Sequence, residues 1–253
     1  MSGHSKWATI KRKKAATDSA RGRLFTRLIK EITIAARNGG GNPDGNPRLR
    51  LAIQTGRSAN MPAENIKRAI QKGTGELPGV AYEEIVYEGY GPGGVAVLVD
   101  IVTDNNNRTV SEMRHIFSRN NGNLGTSGSV AWMFQKKGHI VVPRTGQSKS
   151  LTEDDVLGII LDAGADDMQG DDESFTIITS PQAFEAVKKA LEEKNVPVES
   201  ASLQMVPQNT VKVTGKEAEQ VLKLMEALEE HDDVQNVYAN FDIDEKELAS
   251  LNG

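Results

Sequence analysis

The 253-residue sequence predicts an α+β multidomain protein: a basic helical domain at the N-terminus, then two small α+β domains, at least one of them ferredoxin-like. Three features predict it. The length suits two or three small domains. Charge divides sharply along the chain. Residues 1–80 hold 16 Lys and Arg against 5 Asp and Glu, residues 81–253 hold 14 against 30, and +11 followed by −16 recovers the net charge of −5. Near residue 80 the hydrophobic pattern also changes, from helical periodicity to short β-branched runs alternating irregularly with helices.

Each element has its own signal. Residues 1–20 (MSGHSKWATIKRKKAATDSA) are polar and basic and read as a flexible arm. Residues 20–37 form a helix with Leu24, Phe25, Leu28, Ile29, Ile32, Ala35 and Ala36 on one face and Arg23, Arg27, Lys30 and Arg37 opposite. Ile34 breaks the pattern by falling on the basic side. The loop GGGNPDGNP ends that helix. Further helices are expected over 47–57 and over 62–72, the latter with Pro62 at its first turn and Gly73 as its stop. In the second half, strands are expected at 95–102, 130–134, 140–142, 175–179, 202–206, 210–213 and 237–243. Helices are expected at 108–120, 157–163, 184–194 and 221–228. The β-α-β-β-α-β order is the natural candidate for each α+β unit. A hinge at 136–138 and a turn at 207–209 would bracket an inserted unit, giving domains 1–80, 81–135 plus 208–253 (ferredoxin-like), and 136–207.

Composition excludes several classes. With 38% hydrophobic, 26% charged and 5% aromatic residues, the chain is neither fibrous nor wholly disordered. No stretch approaches 18 apolar residues, so no membrane-spanning helix is expected, and the basic first 14 residues lack a secretory apolar core. A cytoplasmic location is the simpler reading. There is no cysteine, which removes disulfides, thiolate nucleophiles and iron–sulfur clusters. The four histidines (His4, His115, His139, His231) are scattered without a metal-ligand spacing, so no metal or cofactor is expected. The string Gly89-Tyr90-Gly91-Pro92-Gly93-Gly94 precedes a strand and lacks the Lys-Ser/Thr of a P-loop, so it reads as a tight turn. Asp166, Asp167, Asp171, Asp172 and Glu173 lack EF-hand spacing and read as a solvated turn, while Glu153, Asp154 and Asp155 suit the start of a helix. No enzyme activity is expected.

Several strings are distinctive. They are Gly3-His4-Ser5-Lys6-Trp7; the basic run Ile10 to Lys14, with Asp18 and Arg21-Gly22-Arg23; Arg37-Asn38-Gly39-Gly40; and Asn46-Pro47-Arg48-Leu49. Met61-Pro62 with Asn65-Ile66 and Arg68-Ala69-Ile70 follows, then the Tyr87 to Gly94 string. Last come Thr103-Asp104-Asn105 with Asn107-Arg108-Thr109, and Gly122, Gly125 and Gly128-Ser129-Val130. In this order and spacing the chain resembles the YebC/PmpR family from residue 3 to about residue 245. That family is related to the mitochondrial translational activator of cytochrome c oxidase. The resemblance implies three domains and a non-enzymatic, cytoplasmic regulator that works with nucleic acid. Family members are commonly named as probable DNA-binding transcriptional regulators, and others look like translation factors on the ribosome.

Candidate contacts follow from the charge. Lys6, Lys11, Arg12, Lys13, Lys14, Arg21, Arg23, Arg27, Lys30, Arg48, Lys67, Arg68 and Lys72 are expected to neutralise phosphates of DNA or ribosomal RNA. Trp7 either stacks on a base or packs on the helical domain. Asn105, Asn107 and Arg108 form a possible functional loop; their strongest reading from residues alone is a helix cap, and the binding role rests on the resemblance. The connection GGGNPDGNP is too long for a helix-turn-helix. The leading expectation is a DNA-binding transcriptional regulator. The alternatives are a ribosome-associated translation factor and a protein-interaction scaffold; a protein partner could meet the acidic body. The simplest rival to phosphate binding is that the basic segment docks on the chain's own acidic body.

Overall fold

The structure is a computed structural model that describes residues 18–144, 152–170, 173–244 and residue 247. Helix α1 (Asp18–Gly39) is followed by α2 (Pro47–Ser58) and α3 (Ala63–Thr74). Their apolar faces meet in one core of Leu28, Ile32, Ala35, Ala36, Leu49, Ala52, Ile53, Met61, Ile66 and Ala69. Asn46 caps α2 by accepting the Leu49 amide at 3.1 Å, and its own amide nitrogen donates to the Ala35 carbonyl at 2.7 Å, which ties the start of α2 to α1. Gly73 lets α3 lie against α1: a Cβ there would run into the Thr33 carbonyl and meet Ala36 Cβ at 2.8 Å.

The chain then forms β1 (Glu83–Tyr90), a 3₁₀ turn (Pro92–Gly94), β2 (Ala96–Thr103), α4 (Asn106–Arg119) and β3 (Asn123–Leu124). A second 3₁₀ turn (Ala131–Met133) leads into β4 (Phe134–Pro143), α5 (Glu153–Asp162), β5 (Ala165–Gly170), β6 (Ser174–Thr179), α6 (Phe184–Glu193) and β7 (Ser200–Pro207). The last elements are β8 (Val211–Lys212), α7 (Gly215–Glu229), β9 (Val234–Ala239) and β10 (Phe241–Asp242). No helix among the described residues is long and apolar enough to cross a membrane.

Residues 134–207 make one compact unit, and the described residues on either side of it make the other. Within 134–207 the strands run β5-β6-β4-β7, all antiparallel, with α5 and α6 as crossovers. That is the β-α-β-β-α-β arrangement. One face of the sheet buries Ile140, Val142, Phe175 and Ile177, and Val156, Ile160, Phe184, Val187 and Leu191 of the helices are buried as well. In the other unit the sheet order is β3-β1-β2-β9, beginning with the β1–β2 hairpin. Its core joins Val97, Val99 and Ile101 of β2 to Met113 and Phe117 of α4 and to Val221, Leu224, Met225 and Leu228 of α7. The ferredoxin-like order expected for 81–135 plus 208–253 therefore belongs to 134–207 instead. A direct hairpin, with no crossover helix, opens the other sheet.

Three local expectations are corrected. No strand is expected at 83–90, yet all eight residues of β1 pair with β2, and Gly89 and Tyr90 of the expected turn belong to the strand. Residues 136–138 lie inside β4 and are no hinge. Residues 130–133 form a turn, with the strand beginning at Phe134.

Candidate nucleic-acid interface

Helix α1 carries two working faces. Beside its core stripe, residues 27, 30, 34 and 37 recur at helical spacing and form a second stripe that docks on the α+β residues of the same unit. The Arg27 guanidinium donates to the Glu229 carbonyl. Lys30 is buried; its ammonium donates to the Val102 carbonyl at 3.2 Å, the Asp232 carbonyl at 2.9 Å and Asp233 Oδ1 at 2.7 Å. Ile34 is 2% exposed. Arg37 donates to the carbonyls of Tyr82 at 3.0 Å and Val80 at 3.2 Å. The break in the apolar pattern at Ile34 thus marks a second buried contact. Lys30 is corrected from a phosphate contact to a structural cation, because three acceptors already surround its ammonium. Arg27 likewise gives part of its donor set to the body.

Lys30 ends in a closely tied knot. Asp233 Oδ2 accepts from Arg108 at 2.7 Å and from Thr109 at 2.8 Å. Burial acts to raise the Asp233 carboxyl, but hydrogen bonds from Lys30, Arg108 and Thr109 and the Lys30 charge outweigh it, holding the group well below the usual carboxylate range. The His231 ring accepts the Asp233 amide at Nδ1 and meets Glu112 through Nε2 at 2.8 Å. Glu112, His231 and Asp233 bring three possible ligand atoms within 4.8 Å of one another. They do not fit a metal: both Asp233 oxygens already face cations, and a further positive ion would be repelled.

The loop before α4 is accounted for in the same way. Asn105 caps the helix by accepting the Arg108 amide at 3.1 Å. Arg108 bridges Asp104 at 3.0 Å and Asp233. Asn107 is exposed, and its carbonyl accepts from Ser111. Asn105 and Arg108 thus cap and pair, as the residues alone suggest, and both stay exposed. Arg48 is also engaged, making bonds of 2.7 and 2.9 Å to Glu31 and of 2.5 and 3.1 Å to Glu84.

Other cations remain outward. Arg21, Arg57, Lys67, Arg68 and Lys72 are exposed and Arg23 is half-buried. Arg68 pairs with Glu64 one turn away, at 3.3 Å, an exposed pair that contributes little. The other five have no carboxylate partner among the described residues. Lys67, Arg68 and Lys72 stand on the outer face of α3. That helix follows α2 after four residues, Ala59-Asn60-Met61-Pro62, a length that suits a helix-turn-helix. The longer connection, which does not suit that motif, is the one between α1 and α2. Lys6, Trp7, Lys11, Arg12, Lys13 and Lys14 lie outside the described residues.

A further feature lies outside the expected site residues. Glu88 of β1 is buried and accepts three backbone amides, from Gly128 at 2.6 Å, Val130 at 2.7 Å and Ala131 at 2.7 Å. Burial pushes its carboxyl up, and the three amides together overcome this and hold it below its ordinary value. Because Glu88 takes the amides of Val130 and Ala131, these residues turn instead of extending as a strand. The turn presents Trp132, whose side chain is 68% exposed. A signal was available: from Glu112 to Glu153 there is no acidic residue, while Arg114, Arg119, Lys136, Lys137, Arg144 and Lys149 fall between them. This is a +6 segment inside the acidic half.

A helical domain with outward cations, followed by two α+β domains, matches known proteins along nearly its whole length. Residues 5–76 match the model of the TACO1/YebC protein N-terminal domain, and residues 82–241 match that of the TACO1/YebC second and third domain. The chain belongs to this family. A probable transcriptional regulatory protein of Solibacter usitatus is 59% identical over 251 residues, covering 99% of each chain. Another of that name from Chlorobaculum tepidum is 57% identical over 252 residues, again covering 99% of each. The crystal structure of a conserved hypothetical protein from Aquifex aeolicus superposes with a TM-score of 0.82 at 50% identity, covering 90% of this chain and 93% of the other.

Proposed function

We propose that this chain is a non-enzymatic regulator that binds nucleic acid and holds the phosphate backbone with its helical domain. Its relatives carry the name of probable transcriptional regulatory proteins, which makes duplex DNA the leading target. The observation that carries the reading is α3: it is entered by a four-residue turn, and Lys67, Arg68 and Lys72 stand on its outer face. Arg57, Arg21 and Arg23 extend the charge, and the basic arm of Lys6, Lys11, Arg12, Lys13 and Lys14 adds to it. Each neutralised phosphate releases a counterion, so about six contacts give a log–log salt slope of about −5 on duplex DNA. Arg and Lys on a groove-facing helix also supply donors for guanine.

The test is binding of the full chain to a 20-base-pair duplex across a salt series. Replacing Lys67, Arg68 and Lys72 together by Ala is expected to make the slope shallower by about 2.7, at about 0.9 per contact. An unchanged slope overturns the assignment of α3. A second reading, a translation factor on ribosomal RNA, is favoured by the basic, acid-free segment around Trp132. Crosslinking in living cells, followed by sequencing of the attached DNA and RNA, separates the two. Recovery of neither leaves a protein partner as the ligand of the basic face.

A further inference from the structure

The geometry points to Trp132 as a stacking platform for an unpaired base of an RNA, separate from the phosphate-holding face of the helical domain. The inference rests on the nucleic-acid reading above and fits the second of its two targets. Three observations carry it.

Trp132 is the most exposed large hydrophobic side chain among the described residues, at 68%. An exposed indole offers a broad, rigid π-face on which a base can stack.

Its backbone is held on every side. Glu88 clamps the three amides at Gly128, Val130 and Ala131. The Met133 amide donates to the Val130 carbonyl at 2.9 Å. The Gln208 side chain donates to the Trp132 carbonyl at 3.2 Å, and the Gln208 amide to the Met133 carbonyl at 2.9 Å. The indole nitrogen donates to the Ser129 carbonyl at 3.2 Å, which fixes the ring's direction. A ring already fixed loses little entropy when a base stacks on it.

The charge around it in sequence suits a polyanion. Residues 113–152 contain six Lys and Arg and no Asp or Glu, whereas the rest of 81–253 holds 8 against 30, or −22. Arg114 and Arg119 are exposed on α4 with no carboxylate partner among the described residues. Of the six, Lys137 pairs with Asp166 at 2.8 Å and Arg144 lies over the Phe175 ring, whereas Arg114 and Arg119 belong to the same unit as Trp132. Free cations that take the backbone and an open ring that takes a base are the composition that binds single strands. A duplex hides its base faces, whereas RNA loops and bulges offer them.

The experiment uses the full chain with Trp7→Phe throughout, which leaves Trp132 as the one tryptophan of the original two. The probes are a 12-nucleotide single-stranded RNA and the blunt RNA duplex of the same sequence. The single strand is expected to quench Trp132 fluorescence and the duplex to leave it unchanged. Trp132→Ala is expected to weaken single-strand binding roughly 5- to 150-fold, the range for losing one stacked base, and Trp132→Phe to restore most of it. Because the side chain is exposed, the thermal midpoint of Trp132→Ala should match that of its parent. No quenching, equal quenching by the duplex, or full affinity in Trp132→Ala overturns the platform and leaves Trp132 to a protein partner. A flat fluorescence trace with the salt slope of the Lys67, Arg68 and Lys72 face intact refutes the platform alone; loss of both refutes the nucleic-acid reading.

Discussion

Lys30→Met removes the cation that α1 sets between the end of β2 and the residues just before β9, and its consequence can be worked from the contacts. The ammonium holds two carbonyls and Asp233 Oδ1. Methionine fills similar space and supplies no donor, so Asp233 Oδ1 is left buried without its partner. Removing one member of a buried ion pair costs about 3–5 kcal/mol when nothing compensates. Here Arg108 at 2.7 Å and Thr109 at 2.8 Å stay on Oδ2. The expected loss is therefore nearer the strength of one to two charge-assisted bonds, about 2–4 kcal/mol. Urea unfolding reads it as a lower midpoint at unchanged slope. The acid limb supplies a second reading. The Asp233 carboxyl lies below its unfolded value near 3.9, so its contribution is full above that value and is lost as pH falls toward the folded one. With Lys30 gone that depression shrinks, and stability should fall less steeply between about pH 4 and pH 2. A loss under about 1 kcal/mol, or an acid limb as steep as in the parent, would refute the assignment of Lys30 to docking.

Glu88→Gln keeps the shape of the clamp but replaces a carboxylate by a neutral acceptor for three amides. It should cost about 2 kcal/mol in urea unfolding, and its acid limb should also flatten, since the native carboxyl stabilises the fold above its ordinary range and loses that effect as pH drops through it. Gly73→Ala drives a Cβ against the Thr33 carbonyl and should cost about 1–3 kcal/mol, read by calorimetry, with no change in the salt slope of nucleic-acid binding if only the packing of α3 on α1 is disturbed.

What was legible depended on how local the cause was. The three N-terminal helices could be read because each cause lies within a few residues: helical spacing, Pro47 at one start, Pro62 before another. The expected stop at Gly73 is corrected, since the helix runs through it to Thr74 and ends at Gly75 with φ 84°. β1 was hidden because its buried position 88 is a glutamate, which spoils the alternation that marks a half-buried strand; its partners lie 40 to 43 residues away. The same distance problem affected the candidate site. Lys30 looks like every other lysine of the basic face, and the acceptor that removes it, Asp233, is 203 residues further on. Ile34, an apolar residue on the basic side of the helix, is the sequence signal of the docking stripe. Arg48 and Arg108 were likewise classed by charge, while the carboxylates that engage them come from other elements.

These pairings turn the choice between internal docking and phosphate binding into a division of labour. Residues 1–80 carry +11 and residues 81–253 carry −16, and within one unit α1 meets the α+β residues through its 27, 30, 34 and 37 stripe, with Asn38 donating to Glu84 beside it. Arg27, Lys30 and Arg37 bond there chiefly to backbone carbonyls, with Asp233 as the one carboxylate acceptor of the three. On the proposed reading the exposed Lys67 and Lys72 of α3, which have no carboxylate partner among the described residues, keep their charge for a ligand, while Arg48 of α2 gives its own to Glu31 and Glu84. On the proposed reading the two contact places are the cations of α3 and the Trp132 indole, and carboxylate-rich surface elsewhere repels phosphates. A polyanion that satisfies both places must present a continuous backbone to α3 and an unpaired base to the indole. A folded RNA with a stem and a loop has both, and a fully paired DNA duplex lacks the second. On this argument Trp132→Ala should lower affinity for a stem–loop RNA while leaving affinity for a plain duplex DNA unchanged.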